Sequence, residues 1–266
     1  EPDVAVITNI GHAHLGLLGS RDNIARAKSE ITSNLKSDGV LIIPFGDDIL
    51  EKALRGKWLG RIIRVAIKDY SLDWVGVNDN YFAYKDTKPD YIAQIDIQNN
   101  LIILNDDRFL LPLEGRHNAM NYLMALAVAN ELGVPMKNSN KLDLKMPLGR
   151  NRLINCGRFV VLDESYNASP DSVIASLELL ISKPGRHFAV LGTMLELGED
   201  SNSLHEKVVK KAVDLGLEGT VFISKGDNAS FIKKIIKELP LYGMVSTPEQ
   251  AAKLLLVWLK PGDNIL

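Results

Sequence analysis

Uninterrupted apolar runs and helical periodicity take turns along most of this chain. Residues 4–8 (VAVIT), 39–44 (GVLIIP) and 61–66 predict three strands, the first two without a polar face, as expected of parallel strands covered on both sides. Helical spacing over 21–35 and 47–54 separates them, so this part is an α/β layered unit. From about 73 to 113 the pattern shifts to short alternating runs such as YIAQIDI and NLIILNDDRFLLPL, broken by NN and NDD. These predict hairpins, attached as an antiparallel appendage to the edge of the parallel sheet. GRHNAMNYLMALAVANELGV then predicts a long helix, with Asn118 as its cap and Gly133 as its end.

A polar stretch over 134–149 (within it PMKNSNKLDLKMP) predicts an interdomain connector, dividing the chain into domains 1–145 and 146–266. Beyond it, strands are expected at 159–163, 187–192, 219–223 and 242–245, with helices at 171–181, 203–215, 229–238 and 248–259. That is a doubly wound, Rossmann-like order without the GxGxxG of a dinucleotide site. The chain opens on a strand without Met, and its last residues, PGDNIL, enter another strand. We read it as a piece of a longer protein.

Composition narrows the class. The 266 residues are 46% hydrophobic and 24% charged with a formal net charge of −2, which suits a soluble globular protein and gives no electrostatic reason to expect nucleic acid. No apolar run approaches the roughly 20 residues that span a bilayer, and the N-terminus is neither a signal nor a transit peptide. The single cysteine, Cys156, predicts a reducing, cytoplasmic setting and reads as a small strand residue rather than a nucleophile, no histidine lying near it. The triplets Asn167-Ala-Ser and Asn228-Ala-Ser carry no meaning without a secretory signal.

Four segments have chemical potential. In ITNIGHAHLGLLGS the loop after the first strand delivers Asn9, His12 and His14, where α/β enzymes place ligands. A neutral His14 suits a divalent cation, with Lys28 on the next helix facing the same region. No carboxylate is adjacent in sequence, however, and on residues alone a loop histidine and a solvated lysine explain the pattern better. Asn118 and Asn121, three apart, share a helix face that suits an adenine edge or an ion, or are simply a cap and a surface amide. In PLGRNRLINCGRFVVLDESYNASPDS, Asp163 and Glu164 end a strand beside Tyr166 and Asn167 and suit a ribose hydroxyl. Arg150 and Arg152 suit a phosphate through the guanidinium fork. A basic linker pair and a capping turn account for the same residues equally well. LGTMLELGEDSNSLH is either a substrate loop, with Asn202 or Ser203 capping the following helix, or a structural turn.

The order and spacing of these segments are more specific than any one of them. ITNIGHAHLGLLGS…IARAKSEI, EGRHNAMNYLMALA, GRNRLI…VLDESYNASPDS and LGTMLELGEDS together resemble the Mur ligase superfamily, and YNASP and MLELGE its MurF branch. The resemblance implies the second half of the family's central ATPase domain plus most of its C-terminal Rossmann-like domain. It implies ATP-dependent amide formation through an acyl phosphate, joining D-alanyl-D-alanine to a UDP-N-acetylmuramoyl-tripeptide, with Mg²⁺ and ATP as cofactors and a monomer as the working form. By the same resemblance His14 is a magnesium ligand and Lys28 carries a carbamate. Asn118 and Asn121 lie on the nucleotide side, Arg150 is the arginine of the domain joint with Arg152 as the alternative register, and Glu164 is the ribose-binding acid followed by Tyr166 and Asn167. Three features depart from the family pattern: Gly16 in place of an acid, Thr193 in place of Asp, and no GxxxxGK[ST] phosphate loop in the chain. The last leads us to expect that residues 1–266 alone do not ligate. The alternatives are another member of the superfamily, such as a folylpolyglutamate synthase, or a non-catalytic nucleotide- or partner-binding module.

Overall fold

The computed structural model describes residues 1–68, 88–135, 142, 144–224 and 230–266. They form two compact units, Glu1–Gly11 with Leu18–Leu144, and His12–Leu17 with Lys145–Leu266. The early part of the expected hairpin region, and residues 136–141 and 143 of the expected connector, lie outside the described residues.

The first unit is built on a six-stranded sheet in sequential order: β1 (Val4–Val6), β2 (Val40–Pro44), β3 (Arg61–Lys68), β4 (Tyr91–Asp96), β5 (Leu101–Leu104) and β6 (Asp107–Leu110). The first four pair in parallel; β5 and β6 continue the same sheet antiparallel, with Ala93 opposite Leu104 and Leu101 opposite Leu110. The antiparallel appendage is therefore an extension of the parallel sheet. Ile42, Val65, Ile102 and Phe109 pack with Leu123 and Met124 of α4 (Arg116–Glu131) to make the core. The helix α2 (Arg21–Ser29) starts where Ser20 accepts from the Asn23 N–H, and α3 (Asp48–Leu54) where Asp47 accepts from the Leu50 N–H.

Asn118 does not cap α4. The residue before the helix is Gly115 at φ 101°, a conformation other residues rarely adopt, and Asn118 lies inside the first turn with its amide donating back to the Glu114 carbonyl. Gly133 does end α4: at φ 68° it donates to Asn130 while Val134 donates to Ala129, which satisfies the last carbonyls.

The second unit has the strand order β11-β10-β9-β12-β8-β7. Its strands are β7 (Arg152–Asn155), β8 (Val160–Asp163), β9 (His187–Gly192), β10 (Gly219–Ile223), β11 (Leu241–Val245) and β12 (Asn264–Ile265). All pairings are parallel except the edge pair β7–β8. The helices α5 (Pro170–Ile181), α6 (Ser201–Asp214) and α7 (Ser230–Ile235) pack in sequence, as right-handed crossovers moving one way require, and α8 (Pro248–Trp258) returns against β10 and β11. The last strand is anchored between β8 and β9 by the buried Asp263, which accepts from Arg186 and from the Lys260 N–H.

Three expectations change here. The strand β7 was not anticipated, and Arg152 belongs to it. Cys156 lies just past β7 and is exposed. Neither Asn202 nor Ser203 caps α6, which begins at Ser201 directly after a 3₁₀ turn at Gly198–Asp200, and the Ser203 hydroxyl donates to the Asp200 carbonyl.

Candidate functional site

In the first unit, α2 buries Ile24, Ala25 and Ser29 and leaves Lys28 on its outer side. Its ammonium reaches back to the loop after β1 and donates to the Asn9 carbonyl at 2.8 Å. Lys28 is classed as exposed overall, but desolvation of its ammonium lowers its pKa below the ordinary lysine value, and the carboxylate of Asp47 only partly opposes this. Asn118 uses its amide on Glu114, while Asn121, one turn on, is exposed.

In the second unit, the short segment His12–Leu17 carries both histidines and the first three residues of α1 (Leu15–Leu18). The backbone N–H and Nδ1 of His12 each lie 2.9 Å from Oδ2 of Asp171, in the first turn of α5. Burial pushes the Asp171 carboxyl up, but the bonds from the His12 ring and backbone outweigh it and hold the pKa below the usual carboxylate value. Nδ1 of His14 lies 2.6 Å from Oε2 of Glu196. Gly16 donates its N–H to the Glu196 carbonyl, also at 2.6 Å, and a Cβ on Gly16 would come within 2.9 Å of the Gly198 nitrogen. The carboxylates that the histidines lack in sequence are thus supplied from 159 and 182 residues away.

The arginine pair separates. Gly149 at φ 74° lets the chain turn against Tyr166, whose N–H donates to the Gly149 carbonyl, and places the Arg150 guanidinium 4.3 Å over the Tyr166 ring. Arg152 instead opens β7 opposite Asp163. The Asp163 carboxyl is held below the usual range mainly by the Ser165 hydroxyl, with Arg152 adding to the effect. Glu164 behaves oppositely: burial and the neighbouring Asp163 raise its pKa, against the Asn151 N–H and Arg150. Asn167 is exposed beside them.

Glu164, Tyr166, Asn167, Thr193, Met194 and His205 line a cavity of about 600 Å³ at the carboxyl ends of the parallel strands. Its lining is largely apolar, with the acid, the phenol and the amide among its polar groups, which suits a ligand that carries hydroxyls. Among the described residues no group of three His, Cys, Asp or Glu side chains converges as a metal site, and no helix is long and apolar enough to cross a membrane. Sequence reading did not find Asp171, Glu196 or His205 as participants; only tertiary contact marks them.

The chain matches two family models in order, Mur ligase middle domain over residues 1–129 and Mur ligase, glutamate ligase domain over residues 149–266. A UDP-N-acetylmuramoyl-tripeptide–D-alanyl-D-alanine ligase of Synechocystis sp. is 34% identical over 269 residues, covering 100% of this chain and 54% of that protein. Its counterpart in Bacillus subtilis is 33% identical over 212 residues, 78% of this chain and 43% of that protein. The chain therefore spans about half the length of the curated relatives it matches. Among solved structures, a MurF ligase from Thermotoga maritima in complex with ADP gives a TM-score of 0.78 at 27% identity, covering 100% of this chain and 58% of that one. A MurF from Acinetobacter baumannii gives 0.79 at 26%, covering 99% and 55%. A folylpolyglutamate synthase from Thermotoga maritima, at 15% identity and a TM-score of 0.60, shares the fold alone.

Proposed function

Because the chain belongs to the Mur ligase family, we propose that it works in an ATP-dependent ligase that adds D-alanyl-D-alanine to a UDP-N-acetylmuramoyl-tripeptide in the cytoplasm, during peptidoglycan precursor synthesis. The observation that carries this is the match of the whole chain to a relative bearing that name at 34% identity, together with the two domain models matched in order over 1–129 and 149–266. We assign residues 1–145 to the second half of the central ATPase domain and 146–266 to the C-terminal ligase domain, with a monomer as the working form.

In the proposed reaction an oxygen of the peptide carboxylate attacks the γ-phosphorus of ATP, and ADP leaves. The amine of D-alanyl-D-alanine then attacks the carbonyl carbon, loses a proton, and phosphate leaves as the amide forms. Catalysis of this kind depends on positioning and on neutralising phosphate charge. Arg150, pre-oriented over Tyr166, supplies a cation for phosphate, and Glu164 accepts from ribose hydroxyls beside Tyr166 and Asn167. Asn118 and Asn121 are assigned by the family pattern to nucleotide contacts of the central domain itself. A nucleotide is supported by the relative solved with ADP.

By the family pattern Lys28, as a carbamate, would offer oxygens to magnesium in the first unit and His14 would offer an imidazole nitrogen in the second; the ion neutralises phosphate oxygens when bound. An ammonium repels that ion, whereas a carbamate offers it oxygens. Carbamate formation needs the neutral amine, whose nitrogen bonds the carbon of CO₂ and releases a proton. The lowered pKa of Lys28 favours that form. The direct test is product mass: with ATP, the tripeptide substrate and D-alanyl-D-alanine, the enzyme carrying this chain yields the UDP-linked pentapeptide. A product extended by a single amino acid would reassign it within the family.

A further inference from the structure

We propose that residues 12–17 are a strap of the second unit, which opens and closes on that unit as one piece and carries His14 with it. The loop after β1 changes its support at Gly11. Up to that point α2 holds it: the Lys28 ammonium donates to the Asn9 carbonyl, and the Arg21 guanidinium donates to the Ile10 carbonyl at 2.7 Å. From His12 to Leu17 the same loop belongs to the second unit, and at Leu18 the chain returns to the first. Two anchors fasten the strap. At the front, the His12 backbone N–H and Nδ1 both meet one carboxylate oxygen of Asp171. At the rear, His14 meets the Glu196 carboxylate while the Gly16 N–H donates to the Glu196 carbonyl.

Both anchors are built into the framework of the second unit. Asp171 stands in the first turn of α5, which the Ser169–Ser172 capping box fixes. The 193–197 loop is held from beneath by buried Met194 and Leu197 and by Nε2 of His205, which accepts from the Met194 N–H. The strap has little of its own: of residues 12–17 only Leu15 is buried. Its closed form is also strained. His14 at φ 64° and Glu196 at φ 60° both take the left-handed region that favours glycine, and they are each other's side-chain partners at 2.6 Å. Each is kept in that conformation by the other. A segment with so little buried surface, closed by a few bonds against paired strain, has an open state within reach, because losing one anchor lets the strained pair relax.

Residue-resolved amide exchange of the enzyme carrying this chain decides it. The His12 and Gly16 N–H groups are bonded to different anchors, yet one opening should expose both. Asp171→Ala removes the front anchor alone, and it should speed exchange at Gly16 as well as at His12 by about tenfold, the fold-change of one lost hydrogen bond. Glu196→Ala should speed exchange at His12 in return, since coupling between the anchors is reciprocal. Asp171→Asn, which keeps an acceptor in place and leaves α5 intact, should give a smaller rise that both amides still share. Faster exchange confined to His12 in the Asp171 variants, with Gly16 unchanged, would make these two independent contacts and overturn the strap. Under the ligase reading above, Asp171→Ala should also lower kcat, because His14 is released although Asp171 lies outside the cavity lining. Full turnover together with shared fast exchange would leave the strap standing and take His14 out of the reaction.

Discussion

The Tyr166 N–H donates to the Gly149 carbonyl at 3.0 Å, and a Cβ on Gly149 would come within 2.6 Å of that same nitrogen. The contact joins the entry of the second unit to the turn after β8, and Arg150 owes its place over Tyr166 to it. Gly149→Ala meets both a positive φ and a backbone clash, so we expect a stability loss of about 1–2 kcal/mol from conformation alone. In the role proposed for Arg150, turnover should fall more than nucleotide affinity, since its guanidinium would lose its place over Tyr166. Thermal unfolding and steady-state kinetics check this; an unchanged melting temperature would contradict it.

Glu164 gives a pH signature with a definite sign. Its carboxyl is pushed above the usual range by burial, and in the role proposed for it the ionised form would accept from the ribose hydroxyls. KM for ATP should therefore rise as pH falls through that raised pKa, at higher pH than an ordinary glutamate would produce. For the fold the sign reverses: the native state holds this proton more tightly than the unfolded chain does. The resulting penalty is full above the native pKa and vanishes below the unfolded one. Glu164→Gln should flatten both profiles; a profile unchanged in the variant would place the titration elsewhere.

Lys28→Ala should abolish ligation if its carbamate holds magnesium, and short carboxylic acids added to the assay should restore part of it. Full activity without rescue would remove Lys28 from the site.

Core stability in the first unit depends on α4. Leu123 is fully buried against the sheet, so Leu123→Ala should cost about 2–5 kcal/mol in urea unfolding. A cost well under this would mean that the site collapses around the missing side chain.

Much of the fold was legible because its strands are continuous apolar runs: 187–192 and 219–223 were read at the bounds the structure gives. The edge strand β7 was not, since Arg152, Leu153 and Asn155 are exposed and leave no periodic signal. Asn118 was misread as a cap because its residue type suits one, whereas the glycine three positions earlier has the conformation the helix start needs. Family spacing pointed to His14, Lys28, Arg150 and Glu164. Their surroundings, however, are tertiary: the carboxylates facing His12 and His14 come from α5 and the 193–197 loop. His205 falls at a buried position of the amphipathic α6, where the pattern gives no hint of a polar task.

The central claim, that this chain serves ligation of D-alanyl-D-alanine, is tested most directly by phosphate release from ATP by the enzyme carrying it. The account predicts release that requires the UDP-linked tripeptide and D-alanyl-D-alanine together, with one phosphate per amide formed. Release that proceeds equally with glutamate or another single amino acid in place of the dipeptide, or that ignores the dipeptide altogether, would contradict it.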